Sequence, residues 1–107
     1  MINTVTLVGR IARDVEIFKT EDGKECSILT LAVPRSYKNV EGVYETDFID
    51  CVLWKQIATN VKEFCRKGDI VGIKGRLETI MDEHVSLKLI AEKVSFLSAT
   101  NHKEEGE

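Results

Sequence analysis

Residues 44–54 carry the sequence Tyr-Glu-Thr-Asp-Phe-Ile-Asp-Cys-Val-Leu-Trp, which is rich in apolar and aromatic residues. This composition predicts a β-strand. Because successive side chains of a strand point to opposite faces, the strand has one apolar face and one mixed face. The apolar face carries Ile49, Cys51 and Leu53, and it is the expected core side. The mixed face carries Phe48, Asp50, Val52 and Trp54.

The mixed face places two large aromatic side chains beside a carboxylate. A strand that is buried on both faces is not expected to carry Asp50, so Phe48 and Trp54 are expected to face water or a ligand. Flat aromatic side chains on an open sheet can stack against nucleic-acid bases. Trp and Phe are also common in strands that pack under a loop or helix. This strand alone leaves both alternatives open.

Four further strands are predicted on the two sides of this stretch. They cover residues 2–11, 27–35, 70–81 and 85–97. The first strand is expected to resume over residues 15–18, before a hairpin turn marked by Asp22 and Gly23. Gly9 predicts a bulge or sharp bend, and a shift of the alternation near Ala91 predicts a second bulge. Pro34 is expected to end the second strand or to lie at a sheet edge.

One helix is predicted over residues 56–67, with Gly68 as its stop signal. Its apolar stripe consists of Ile57, Ala58, Val61, Phe64 and Cys65. The order is three strands, one helix and two strands. This order predicts an all-β protein with one short helix: an OB-fold, a five-stranded Greek-key barrel with the helix between strands 3 and 4. Such barrels bind oligonucleotides or oligosaccharides, and the fold alone does not decide between them.

Length and charge restrict the class of protein. The 107 residues suit one domain, and the net charge of −3 argues against a simple basic DNA-coating protein. Any nucleic-acid site must therefore combine local clusters of charge with stacking. Residues 98–107 have no apolar pattern and are expected to form a disordered acidic tail after a domain over residues 1–97. No apolar run suits a membrane span or secretory signal, so a cytoplasmic location is expected.

The residues that could carry chemistry favour binding over catalysis. The three cysteines form no Cys-x-x-Cys pair, and the two histidines add no metal-ligand spacing. We expect reduced, structural cysteines, no metal and no cofactor. The sequence also lacks a phosphate-binding loop and a nucleophile–base pair, so we do not expect an enzyme.

The polar segment over residues 36–43 contains a second candidate contact. Tyr37 lies between the cations Arg35 and Lys38, an arrangement that suits a clamp on a base and its phosphates. The alternative is a solvated loop in which Tyr37 packs locally.

Several motifs together resemble one family. They are Met-Ile-Asn-x-Val-x-Leu-Val-Gly-Arg at 1–10, Leu-x-Leu-Ala-Val-x-Arg at 29–35, Tyr-Glu-Thr-Asp-Phe-Ile-x-Cys-Val-x-Trp at 44–54, Lys-Gly-Asp-x-Val at 67–71, Gly-Arg-Leu at 75–77 and Ala-Glu-Lys-Val-x-Phe-Leu at 91–97. Taken in order over residues 1–97, the chain resembles bacterial single-stranded DNA-binding proteins.

The resemblance implies an OB-fold subunit that assembles as a dimer of dimers and wraps single-stranded DNA without strict sequence preference. It also implies a nucleoid-associated role in replication, recombination or repair, with replication or repair proteins as possible partners. The stacking aromatics correspond to Tyr37, Phe48 and Trp54. The candidate basic contacts are Arg35, Lys38, Arg66, Lys67, Lys74 and Arg76. The candidate subunit interface is the first strand, with Ile2, Asn3, Thr4, Val5, Thr6, Leu7 and Val8.

Three departures from the family pattern are present. Ile80 and Asp82 stand near positions where the family usually has a basic residue and an aromatic one. Asp50 stands between the two aromatics of the mixed face, where a carboxylate repels phosphate unless a cation such as Lys74 or Arg76 pairs with it. The acidic end lacks the family's linker and aromatic tip, which suggests a phage-type, plasmid-type or minor form with fewer partners. The alternative function is a dimeric replication-restart (primosomal) accessory protein of the same fold that acts mainly through protein contacts.

Overall fold

The computed structural model describes residues 1–81 and 84–97. Within them the strands are β1 (Val5–Ile11), β2 (Phe18–Lys19), β3 (Glu25–Lys38), β4 (Tyr44–Trp54), β5 (Ile70–Met81) and β6 (Val85–Phe96), and the helix is α1 (Lys55–Phe64). Asp82 and Glu83 of the expected turn and the expected tail over 98–107 lie outside the described residues.

The strands form one closed sheet. Their order is β1-β5-β6-β4-β3-β2, and an additional pairing of β1 with β3 closes the barrel. The pairing of β4 with β6 is parallel and the other pairings are antiparallel. The two-residue β2 only extends the edge of β3. The five-stranded OB-fold, with its helix between the third and fourth predicted strands, is confirmed.

The barrel interior is filled by the predicted apolar faces. Leu29, Leu31, Leu53 and Ile73 are almost completely buried there, and Cys51 lies among them. The apolar stripe of α1 closes one side of this core through Ala58 and Val61, both fully buried. All three cysteines are buried free thiols.

Two glycines allow strands to approach closely at the corners of the barrel. A Cβ atom at Gly9 would lie 2.5 Å from the carbonyl oxygen of Ala32, at the point where β1 leaves β5 and meets β3. A Cβ atom at Gly75 would clash with the carbonyl group of Ile90. Next to Gly75 the register of β5 and β6 shifts and Glu92 has no Cα partner, which confirms the predicted second bulge.

Three local predictions were wrong. The helix ends at Phe64 rather than near residue 67, because Cys65 adopts an extended conformation. The backbone N–H of Arg66 instead donates to Asp69 at 2.9 Å, and Gly68 (φ +94°) lies in the turn that follows. The strand expected at 15–18 begins only at Phe18. The second predicted strand is longer than expected, from Glu25 to Lys38 instead of over 27–35, with a register shift between Pro34 and Lys38.

Pro34 does not end the strand but lies at a sheet edge, the second of its two expected positions. Within the described residues it pairs with Thr46 on one side, and β1 reaches β3 only at Ala32 and Leu31 on the other. The missing N–H of Pro34 therefore costs no ladder hydrogen bond on that side. Across residues 1–81 and 84–97, no helix combines the length and the apolar character needed to span a bilayer.

Candidate nucleic-acid interface

The centre of the candidate interface is the outer face of β4. Phe48 is 67% exposed and Trp54 is 36% exposed, and strand parity places both on this face. Val52, which has the same parity, is only 5% exposed and packs with Cys26, Ile28 and Ile90. The mixed face therefore contains a buried apolar side chain, Val52, between its two aromatics. Alternation within β4 did not predict this burial, because it places Val52 on the same face as exposed Phe48.

Asp50 contacts Thr30 and Lys88 on this face. The hydroxyl of Thr30 on β3 donates to Oδ1 of Asp50 at 2.8 Å, and Nζ of Lys88 on β6 lies 3.8 Å from Oδ2. The structure thus gives Asp50 a cationic partner, which is Lys88 and not Lys74 or Arg76, the two cations named for the paired alternative. Lys88 was missed because the contact depends on the parallel pairing of β4 with β6, which no local pattern indicates.

Arg35 is held by two carboxylates at the start of the β3–β4 hairpin. Its Nε and Nη2 atoms donate to Asp47 at 3.0 and 2.9 Å, and Nη1 donates to Glu45 at 2.6 Å. The hydrogen bond from Arg35 lowers the pKa of the Asp47 carboxyl, and the same bond raises the pKa of Arg35. The positive charge of Arg35 is therefore already compensated by two carboxylates, and less of it is available to a phosphate.

Farther along the hairpin, aromatic and basic side chains remain accessible. Tyr37 is exposed, as the clamp hypothesis requires. The Nζ atom of Lys38 lies 5.6 Å from the ring centroid of Tyr44, an exposed aromatic that the sequence analysis did not select. A cation at this distance over a ring face gains from the ring quadrupole.

Two more predicted contacts lie on β5. Arg76 donates from Nε to Glu78 at 2.8 Å and from Nη1 to Glu92 at 3.2 Å, so its charge is compensated much as that of Arg35 is. These carboxylates raise the pKa of Arg76. Lys74 is exposed and lies opposite Lys93 on β6.

A depression of about 510 Å³ adjoins Trp54 and carries two lysines, Lys24 and Lys55. Lys55 is the first residue of α1 and has φ +52°, a conformation uncommon for residues other than glycine. Lys24 lies 3.5 Å from Asp22. Lys24 was missed because it belongs to an ordinary hairpin turn in the sequence, and only the fold places it beside Trp54. Lys55 follows Trp54 directly but was not selected, because it stands at the junction of the predicted strand and helix.

The remaining basic candidates line a different depression. Arg66 and Lys67 border it together with Lys62, and Asp14 and Glu16 contribute carboxylates. The aromatics of β4 and of the β3–β4 hairpin do not line it. The structure therefore does not bring Arg66 and Lys67 together with the stacking face in one groove.

The predicted interface strand has an open edge. β1 pairs with β5 from Val5 to Arg10, whereas its other edge meets β3 only at Arg10 and Ile11 within the described residues. Ile2 and Val8 are exposed and Thr4 and Thr6 are exposed beside them, whereas Val5 and Leu7 pack partly against the core. The side chain of Asn3 exchanges two hydrogen bonds with the backbone of Leu77, each at 2.9 Å.

Comparison with known proteins agrees with this geometry. A family model described as "Single-strand binding protein family" matches residues 2–97. "Single-stranded DNA-binding protein 2" of Listeria innocua is 39% identical over 110 residues, which cover 97% of this chain and 69% of that protein. "Single-stranded DNA-binding protein B" of Bacillus subtilis is 43% identical over 79 residues, which cover 74% of this chain and 70% of that protein.

Some relatives are considerably longer than the match. The matched region covers 61% of "Single-stranded DNA-binding protein 1" of Streptococcus pyogenes, at 44% identity. Among solved structures, a deletion mutant of the single-stranded DNA binding protein from Thermus aquaticus shares the fold, with a TM-score of 0.76 and 21% identity. It is matched over 91% of this chain and 51% of that chain. On the family match over residues 2–97, this chain belongs to the single-strand binding protein family.

Proposed function

We propose that this protein binds single-stranded DNA with little sequence preference and protects it during replication, recombination or repair, as a binding protein rather than an enzyme. The observation that carries the proposal is the outer face of β4. Phe48 is 67% exposed on this face, and Trp54 on the same face adjoins a depression lined by two lysines. Phe48 is largely uncovered and can contribute little to the core, and exposed aromatics on a sheet can serve as stacking platforms for bases.

Stacking supplies most of the binding free energy in this proposal. Each base stacked on an aromatic side chain contributes roughly 1–3 kcal/mol. Phe48, Trp54 and Tyr37 are the platforms, and exposed Tyr44 is a candidate fourth.

Phosphate neutralisation is the smaller contribution, because Arg35 and Arg76 already hold carboxylates. The proposed phosphate contacts are Lys24 and Lys55, which line the depression beside Trp54, and Lys38, whose ammonium group lies over Tyr44, with Lys74 on β5 as a further contact. Each neutralised phosphate on a single strand adds about −0.7 to the slope of log affinity against log salt. We therefore expect a shallower salt dependence than a basic DNA-coating protein has. Arg66 and Lys67 can contact only DNA that continues past the stacking face.

The open edge of β1 supports a proposed subunit contact. Backbone N–H and C=O groups at an unpaired edge favour pairing with another strand. An antiparallel β1 pair would bury Val8 and Ile2, and two such dimers would make the tetramer. Dimeric replication-restart accessory activity gains no support from the described residues or from the relatives.

The proposal is tested by measuring anisotropy of fluorescein-labelled oligo(dT) and of a labelled duplex of equal length. We expect saturable binding to the single strand and much weaker binding to the duplex, whose bases are not available for stacking. Equal affinity for the two, or no saturable binding to oligo(dT), would overturn the proposal.

A further inference from the structure

The acidic group in the stacking face is fixed in place. Thr30, only 3% exposed, donates its hydroxyl to Oδ1 of Asp50 at 2.8 Å, which orients the carboxylate. The Asp50 side chain nevertheless remains 44% exposed, and that of Lys88 remains 30% exposed. Their separation of 3.8 Å exceeds the 2.7–2.9 Å of a charge-assisted hydrogen bond, so each group keeps hydrogen-bonding capacity for a ligand.

These two charged groups border a groove that suits a flat ring. Among the described residues, β4 and β6 pair at Cys51 with Leu89 and at Val52 with Ile90, and residues that precede these pairs line a groove. The groove has a volume of about 480 Å³. Phe48 and Leu87 are among its apolar lining, and Asp50 and Lys88 supply its charged lining.

We propose that Asp50 and Lys88 read the Watson–Crick edge of a guanine that stacks on Phe48. This inference rests on the proposed binding of single-stranded DNA and adds a base preference to it. Single-stranded nucleic acids expose these edges for hydrogen bonding, because their bases are not paired.

Guanine matches the pair because of the order of its polar groups. Its N1–H and N2–H donors lie side by side and can donate to the two oxygens of one carboxylate. Each carboxylate oxygen has two acceptor sites, so the bond from Thr30 leaves room for both. The adjacent O6 acceptor faces the ammonium group of Lys88, which has three donors.

The other bases match less well. Thymine has one donor, N3–H, between two carbonyl acceptors, so one oxygen of Asp50 would face a carbonyl oxygen. Cytosine and adenine each have one amino group beside an unprotonated ring nitrogen, and they can make a single hydrogen bond to Asp50. Because only guanine satisfies both carboxylate oxygens and Lys88 together, binding is expected to favour guanine within a generally tolerant site.

The test compares three single strands of equal length as competitors of labelled oligo(dT): a TTG repeat, a TTI repeat with inosine, and unlabelled oligo(dT). Inosine retains the purine ring, N1–H and O6 but lacks the N2 amino group. A bidentate base contact discriminates by roughly 1–3 kcal/mol, so we expect the TTG repeat to bind at least about fivefold tighter than oligo(dT), with the TTI repeat in between. Equal affinity for the TTG and TTI repeats would assign any preference to purine stacking and overturn the inference.

A variant pair locates the source of the preference. Asp50→Asn has one acceptor and one donor at this position, so its preference for TTG, measured relative to its own affinity for oligo(dT), should fall to within about twofold. Glu63→Gln removes the same charge on α1 and should keep the full preference. A preference that persists in Asp50→Asn refutes the role of Asp50. If oligo(dT) binds but all three strands compete equally, this inference fails alone, whereas the absence of binding to every strand defeats the proposed function as well.

Discussion

Replacing Phe48 by Ala should separate binding from folding. Phe48 is 67% exposed, so about one third of the residue's surface is covered, and its Cα partner on β3 is the small Ala32. Complete burial of such a side chain contributes about 1.5–3 kcal/mol, so the expected loss of unfolding free energy is only about 0.5–1 kcal/mol. Loss of one stacking platform should weaken binding by roughly 1–3 kcal/mol, which is about 5- to 150-fold in Kd.

Phe64→Ala is the matched control. Phe64 on α1 is 40% exposed, and its ring centroid lies 5.9 Å from that of Phe96. Its truncation should cost more stability, about 1–2 kcal/mol, because more of the ring is covered. It should leave affinity for oligo(dT) unchanged. Urea unfolding and anisotropy titration measure the two quantities on both variants. Wild-type affinity in Phe48→Ala, or a larger loss of stability than in Phe64→Ala, would refute the stacking role.

Three further outcomes are expected. Val8→Asp at the open edge of β1 should lower the oligomeric state measured by sedimentation velocity, whereas Val40→Asp in the exposed hairpin should leave it unchanged. A wild-type protein that is monomeric at micromolar concentration would contradict the proposed subunit contact. Gly75→Ala should lower the free energy of unfolding by about 1–3 kcal/mol or more, because the new Cβ would meet the carbonyl of Ile90. Gly72→Ala, whose Cβ would have no neighbour closer than 3.8 Å, should lower it by less, and similar losses in both variants would refute the close approach at Gly75. Burial raises the pKa of the Cys51 thiol to about 12 from an ordinary 9.0, so the unfolded chain loses this proton at a lower pH than the folded protein does, and stability should fall as pH rises above about 9. Equal urea midpoints at about pH 8 and about pH 10 would contradict this expectation.

Local periodicity predicted most of the barrel. The bounds of β4 and β5 agree with the predicted strands, and the parity change near Ala91 located the bulge at Glu92. These features depend on neighbours in sequence, since alternation within a strand decides which side chains enter the core. The exposure of Phe48 followed from the same alternation together with the presence of Asp50.

The features that were missed depend on contacts between distant segments. Val52 has the parity of an exposed residue, but Ile90 covers it through the parallel pairing of β4 with β6. The same pairing brings Lys88 to Asp50. The helix ends early because Cys65 is extended and buried in the core and the following turn bonds to β1. A glycine in the sequence marks a favoured end for a helix, and tertiary contacts can end the helix a few residues earlier.

Counting cations in the sequence also overestimated the available charge. Arg35 and Arg76 each hold two carboxylates in the fold. Three of these four, Glu45, Asp47 and Glu92, belong to other strands and lie 10, 12 and 16 residues from their arginine along the chain. Cross-strand ion pairs of this kind are set by register, which the sequence does not state directly. Phosphate contacts therefore shift in our proposal toward lysines, including Lys24 and Lys55, which the sequence analysis did not select.

The most direct test of single-strand binding at the β4 face is a titration of the intrinsic fluorescence of Trp54, the one tryptophan in the chain. Trp54 is 36% exposed on the proposed stacking face, so a stacked base should quench its emission. We predict saturable quenching by oligo(dT) at the concentrations that saturate the anisotropy signal, and little quenching by duplex DNA. Oligo(dT) binding that saturates by anisotropy without any change in Trp54 emission would contradict the assignment of this face as the DNA site.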